Sequence, residues 1–180
     1  MYLRRVKPSP IVEHDHVAGP ADAPLTLIEY GDYECPYCVK AFSVLERVRA
    51  HFGAKLRFVF RHVPKSGKAF DKQAAEASEF AAAQGKFWPM HAQLFALDGQ
   101  HDLEQLVGAA TAVGLDAAAF RQALLEHRFA ERVRELSVAA LHSGIIGTPT
   151  LFINGVRYEN RIEDSLLNAA IERALAAPAS

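Results

Sequence analysis

Cysteine is scarce in this chain: 180 residues hold two, Cys35 and Cys38, with Pro36 and Tyr37 between them. That excludes a scaffold built on disulfides and confines any sulfur chemistry to one C-x-x-C motif. Long apolar runs are also missing. None approaches the roughly 20 residues of a membrane helix, so no membrane span is expected. Neither sign of charge is in excess, with 20 Lys+Arg against 21 Asp+Glu. This balance excludes the basic surface that holds nucleic acid or anionic lipid. The start, Met1-Tyr-Leu-Arg-Arg-Val-Lys7, is basic like a secretory leader. The apolar stretch that should follow is absent, and Pro8, Pro10 and His14-Asp-His16 stand there instead. Read as written, the chain is expected in the cytosol; an exported protein stripped of its leader is the alternative.

What is present is enough for a sizeable core, since half the residues are hydrophobic. The length suits one domain, or one domain with a large insertion. Residues 1–20 read as an irregular arm. Leu25–Tyr30 and Leu56–Phe60 are short apolar runs with the character of buried strands. Between them Val39, Phe42, Leu45 and Val48 recur at helical spacing, with Gly53 as the stop. Residues 68–143 are rich in Ala, Leu, Glu and Gln and read as several helices. A capping box at Asp102 and Gln105 and a cap at Asp116 open two of them. Strand signals return at Thr150–Ile153, then the hairpin pair Asn154-Gly155, then Val156–Tyr158. Asn160 with Glu163 resembles a further capping box, opening a last helix through Leu175. The order is β-α-β, a helical block, then β-β-α.

Cys35 falls where a strand gives way to a helix. There free backbone N–H groups and the positive end of the helix dipole favour an anion, here a thiolate. Pro36 suits the first helical position, where its missing N–H costs nothing. Cys38 lies one turn on, on the same helix face, within reach of a disulfide. Cys35 is therefore the candidate exposed, exchanging sulfur and Cys38 the deeper, resolving one. The competing reading is half of a zinc site, which needs two more ligands. His14 and His16 in the arm are the nearest thing to a ligand pair, and no metal is expected.

Glu29-Tyr-Gly-Asp-Tyr-Glu-Cys35-Pro-Tyr-Cys38, together with Gly147-Thr-Pro-Thr-Leu-Phe-Ile-Asn-Gly155, resembles the DsbA-like branch of the thioredoxin superfamily. Phe58-Val-Phe-Arg-His62-Val-Pro64 and Gly85-Lys-Phe-Trp88-Pro-Met-His91 extend the resemblance over nearly the whole chain from about His16. It implies an α/β thioredoxin fold, a central mixed sheet flanked by helices, formed by residues 17–65 and 144–180. An all-helical subdomain, about 66–143, is inserted between these parts of a single DsbA-like domain. It also implies that Pro149 is cis and lies against the cysteine pair. The Thr148 backbone, with Pro36 and Tyr37 beside it, would then receive an extended substrate segment. Glu29 matches a buried acid of the family that could accept the proton of Cys38. The alternative for Glu29 is a partly exposed acid paired with Arg61 or Lys55. Phe87, Trp88 and His62 are expected to be structural.

The resulting expectation is a monomeric protein disulfide oxidoreductase without organic cofactor or metal. Its partners would be protein thiols and disulfides and a recycling redox protein. Tyr37 stands where the strongest oxidants carry histidine, so an intermediate potential is expected, about −200 to −230 mV. A glutathione-linked transferase or isomerase of the same fold, and a redox-sensing binding module, are the alternatives.

Overall fold

The structure is a computed structural model that describes residues 6–64, 71–99 and 101–177. Five strands form one mixed sheet: β1 (His16–Ala18), β2 (Leu25–Gly31), β3 (Leu56–His62), β4 (Thr150–Ile153) and β5 (Val156–Tyr158). Helix α1 (Pro36–Phe52) joins β2 to β3, with a 3-10 turn at Gly53–Lys55. Between β3 and β4 run α2 (Asp71–Ala82), α3 (Phe87–Ala96), α4 (Leu103–Ala112), α5 (Ala117–Leu125) and α6 (Ala130–His142). Helix α7 (Asp164–Ala176) follows β5. The start expected for the helical insertion, near residue 66, lies outside the described residues.

The sheet order is β1-β3-β2-β4-β5. β2 is central, parallel to β3 and antiparallel to β4. A strand covered on both faces needs apolar groups at nearly every position, and β2 is buried at all but Thr26. β5 is the opposite case, an edge strand with Val156 and Arg157 exposed. The hairpin forms as its turn residues dictate. Asn154 and Gly155 have φ of 46° and 77°, the positive values that a two-residue turn requires. Asn154 Oδ1 also accepts from the Thr26 N–H at 2.7 Å, tying the turn to the start of β2.

Alternation along the strands sorts side chains onto two faces. Leu25, Leu27, Phe58, Phe60, Leu151 and Ile153 share one core with α1, α7 and helices α2 to α5. The helical block thus shares that core with the sheet. Ile28, Tyr30, Val59, Val63 and Phe152 face the other way, against Ala140 and Ile145.

Three departures from the sequence expectations have local causes. The arm is not wholly irregular: His16–Ala18 pairs antiparallel with Phe58–Phe60 as β1. The capping box at Asn160 and Glu163 does not form. Glu163 itself is the N-cap of α7, without a side-chain bond. Arg61 does not pair with Glu29, because residue 61 falls on the face opposite to Glu29. Its guanidinium instead binds Asp15 at 2.8 and 2.6 Å, Tyr30 Oη at 2.7 Å, and the carbonyls of Ser9 and Pro10 at 3.0 and 2.9 Å.

Both partners of the Arg61–Asp15 pair are buried, at 7% and 2% side-chain exposure. Removing one leaves the other charged and unpaired in the interior, which typically costs about 3–5 kcal/mol. Asp15→Asn is therefore expected to lose on the order of 3 kcal/mol in urea unfolding. A loss below about 0.5 kcal/mol, as at an ordinary surface site, would contradict this anchoring role.

Candidate active site

The site is assembled where β2 ends and α1 begins. The Asp32 side chain accepts from the Glu34 N–H at 3.0 Å, and the Cys35 N–H donates to the Asp32 carbonyl at 3.2 Å. This tight turn delivers Cys35 to the N-cap of α1, in extended conformation, with Pro36 in the first turn. An N-cap side chain ordinarily offers an oxygen to the free N–H groups of the first turn. Here a sulfur occupies that place. Both cysteines are free thiols.

The two sulfurs have opposite surroundings. The Cys35 thiol is lowered to about 5. The hydrogen bond from the Cys38 thiol is the largest cause; burial, second in size, opposes it, and bonds from the Thr148 side chain and the backbone N–H groups of Cys38 and Tyr37 add to the lowering. Cys38 is pushed well above its ordinary value, first by burial, then by its bond to Cys35 and the charge of Glu29. Cys38 has no exposed surface. Cys35 keeps only 9%, less than expected for the exposed sulfur, because Thr148 covers it; Cys35 Sγ donates to the Thr148 carbonyl at 3.4 Å.

Glu29 lies on the same sheet face as the cysteines, opposite Phe60 on β3 and Leu151 on β4. It is 2% exposed, and its Oε1 has no hydrogen-bond partner. Burial raises its carboxyl to about 8; the Arg49 charge opposes that rise, while Cys35 and Glu46 add to it. A carboxylic acid titrating near neutrality, coupled to both sulfurs, can give or take a proton at Cys38.

Thr148 and Pro149 are half-buried, and the peptide bond between them is cis. Pro36 is exposed, and Tyr37 keeps 69% of its surface. With Ile146, at 74%, Tyr37 is among the most exposed large apolar groups of the described residues. The structure thus brings Cys35, Cys38, Glu29, Thr148, Pro149, Pro36 and Tyr37 to one end of the sheet.

Sequence reasoning missed the braces beneath them. Tyr33 Oη is 3.0 Å from His91 Nδ1, and His101 Nδ1 is 3.2 Å from Glu34 Oε1, all in buried positions. Burial holds His91 well below an ordinary imidazole. His62 is buried too, 3.1 Å from Glu79. The period-2 pattern of β3 puts residue 62 on the face of Phe58 and Phe60, but the partner on α2 had no local signal.

The fold and this site are those of a thioredoxin-fold protein with a C-x-x-C pair at a helix start. Residues 12–173 match the family described as thioredoxin, and the chain belongs to that family. The oxidised BdbD structure from Bacillus subtilis superposes with a TM-score of 0.87 at 27% identity, over 96% of this chain and 99% of that one. A thioredoxin-like oxidoreductase from Silicibacter pomeroyi gives 0.78 at 28%, over 92% and 95%. The Na(+)/H(+) antiporter NhaA 1 of Mycolicibacterium vanbaalenii is 44% identical over 177 residues, 94% of this chain but 27% of its own length. The chain thus spans about a quarter of the curated relatives it matches.

These findings correct the expectation of a cytosolic protein. It rested on the apolar stretch missing after the basic start, and the relatives carrying most of this sequence are named as antiporters, which are membrane proteins. A neighbour from Salmonella enterica with the same fold, at 20% identity, a TM-score of 0.72 and over 98% of this chain and 94% of its own, is a periplasmic thioredoxin-like protein. No helix among the described residues is long and apolar enough to cross a membrane.

Two titrations test the site. Thiolate absorbance should place Cys35 near pH 5. Cys38→Ala, which deletes the largest stabilising bond, should move it upward toward an ordinary thiol. An unmoved value would assign the shift to the helix start alone. Glu29 is raised in the folded chain from 4.5 to about 8, so its contribution to stability is complete below pH 4.5 and is lost as pH rises through 8. Glu29→Gln removes that loss and should be the more stable protein at pH 7, by on the order of 3 kcal/mol. Equal stability from pH 5 to 8 would place Glu29 in water instead.

Proposed function

We propose that the chain exchanges disulfides with protein thiols through Cys35, with Cys38 as the resolving sulfur. The observation that supports this most directly is the asymmetry of the pair, one thiol acidified at a helix start and the other buried over Glu29. In the reducing direction the Cys35 thiolate attacks a substrate disulfide, forming a mixed disulfide and releasing one substrate thiolate. Cys38 then gives its proton to the Glu29 carboxylate and attacks Cys35 Sγ. The Cys35–Cys38 disulfide closes and the second substrate thiolate leaves. In the oxidising direction a substrate thiolate attacks Cys35 Sγ of the closed pair, and protonated Glu29 returns the proton to the departing Cys38; the substrate's second thiolate then attacks the mixed disulfide, the substrate disulfide forms and Cys35 leaves as its thiolate. Atoms and electrons balance in both directions, without a cofactor.

Thr148 supplies the backbone against which an extended substrate segment lies, with Pro149, Pro36 and the exposed Tyr37 beside it. Main-chain recognition of that kind makes little demand on sequence. The division of the chain that goes with this reading is thioredoxin-fold parts near 17–65 and 144–180 around a helical insertion near 66–143. The setting is a compartment outside the cytosol, where disulfides persist. A recycling redox protein restores the pair after each cycle.

The depth of Cys35 acidification bears on direction. A pKa near 5 lies between about 3.5 for DsbA and about 7 for thioredoxin, and a more stable thiolate makes a stronger oxidant. Tyr37 stands where the strongest oxidants carry histidine, and the pair is expected at about −200 to −230 mV, in the glutaredoxin range. Equilibration in glutathione buffers, read by alkylation mass shift, measures it; a value near −120 mV contradicts the reading.

Exchange with a scrambled disulfide protein should fall to background in Cys35→Ser. Cys38→Ser should accumulate mixed disulfides. Glu29→Gln should slow resolution by on the order of 10²-fold while sparing the first attack. Normal turnover by Cys38→Ser on dithiol substrates would reject the assigned roles. Poor turnover by the unaltered chain would instead favour a redox-sensing module.

A further inference from the structure

A second cluster of ionisable groups lies apart from the two sulfurs, where β1, β3 and α2 meet. His16 stands opposite Phe60 across the β1–β3 ladder, so its side chain shares a sheet face with Phe60 and His62. Glu79 projects toward them from α2. His16 Nε2 and His62 Nε2 lie 2.7 and 3.1 Å from the same carboxylate oxygen, Glu79 Oε1. The side chains keep 11%, 1% and 7% of their surfaces. Two imidazoles and a carboxylate drawn into an interior of this kind need a reason beyond packing.

We propose that His16, His62 and Glu79 form a zinc site. The three donor atoms lie within 4.8 Å of one another. A tetrahedral zinc with ligand bonds of about 2.0–2.2 Å spaces its donors roughly 3.4 Å apart, so side-chain shifts of less than about an ångström admit the ion. Two histidines and a glutamate are a known donor set for zinc with one open position. That position has access to water: a cleft of about 500 Å³ opens on His16 and Glu79, with Glu13 and Glu135 on its walls.

Packing and a neighbouring charge hold the side chains in place. His16 is stacked on Phe87, ring centroids 3.5 Å apart and nearly parallel. Arg132 Nε lies 3.9 Å from the other oxygen, Glu79 Oε2, leaving Oε1 to the histidines. Ser78 Oγ, 3.2 Å from His62 Nε2, already donates to the Ala75 carbonyl at 2.8 Å. It therefore does not depend on His62 as an acceptor. The ion would replace the proton shared by each histidine with Glu79, and would clamp the arm and the first insertion helix to β3. No electron transfer is involved, and the site stands whether or not the proposed exchange reaction is correct.

The test must silence the thiols, because a C-x-x-C pair also binds zinc. The full chain carrying Cys35→Ser and Cys38→Ser is dialysed against zinc, and the metal retained is measured together with thermal stability. The expected result is about one zinc per chain and a higher melting temperature, reversed by a chelator. Glu79→Gln or His16→Gln in that background should abolish the stoichiometric binding. Should either variant fail to fold, cobalt added to the thiol-free chain decides. Visible bands of a four- or five-coordinate ion support the site, and the spectrum of hydrated cobalt alone overturns it. No retained zinc in the thiol-free chain, or retention unaffected by folded Glu79→Gln and His16→Gln, equally overturns it.

Discussion

Everything at the active end follows from one constraint: two sulfurs three residues apart are held in unlike surroundings. Cys35 occupies the N-cap of α1, where unsatisfied N–H groups and the Cys38 thiol converge on its sulfur. Cys38 sits inside the core, where burial penalises its charge. The hydrogen bond between them acts on both, lowering one thiol and raising the other. That division requires a helix whose first turn is free of side-chain caps and whose second sulfur reaches the sheet. Glu29 completes it from below as a buried acid on the central strand.

The sheet supplies this geometry by giving its two faces different tasks. On β3, Phe58, Phe60 and His62 look toward α1 and helices α2 to α5, while Val59 and Arg61 lie on the other face. The outward-facing Arg61 gathers Asp15, Tyr30 and two arm carbonyls, fixing the N-terminal segment over the second face. The inward-facing His62 meets Glu79 and, across the β1 ladder, His16. Tyr33, two residues before Cys35, packs 5.8 Å from the His62 ring and bonds to His91. The turn that presents the reactive sulfur therefore rests on a layer of aromatic and imidazole rings rather than on aliphatic packing.

Much of this was legible because its causes are local. A C-x-x-C with proline at the helix start, the Asp102–Gln105 capping box and the Asn154-Gly155 turn each specify their own backbone. Glu29 and Thr148-Pro149 were found only through a family resemblance; spacing alone left Glu29 free to pair with Arg61. What escaped depends on distant partners. β1 is three residues long and exists only because β3 offers it a ladder. Glu79 meets His16 across 63 positions of sequence, in an alanine-rich helix with no pattern to single it out. The Asn160–Glu163 pair shows the converse, a local signal not realised in the backbone around α7.

The central claim is that the two sulfurs differ in reactivity while the chain is folded. Brief alkylation of the reduced protein at pH 6, followed by mass mapping of the modified residue, addresses it without any substitution. The account predicts label on Cys35 alone, with Cys38 reacting only after denaturation. Comparable labelling of both cysteines in the folded chain would contradict it.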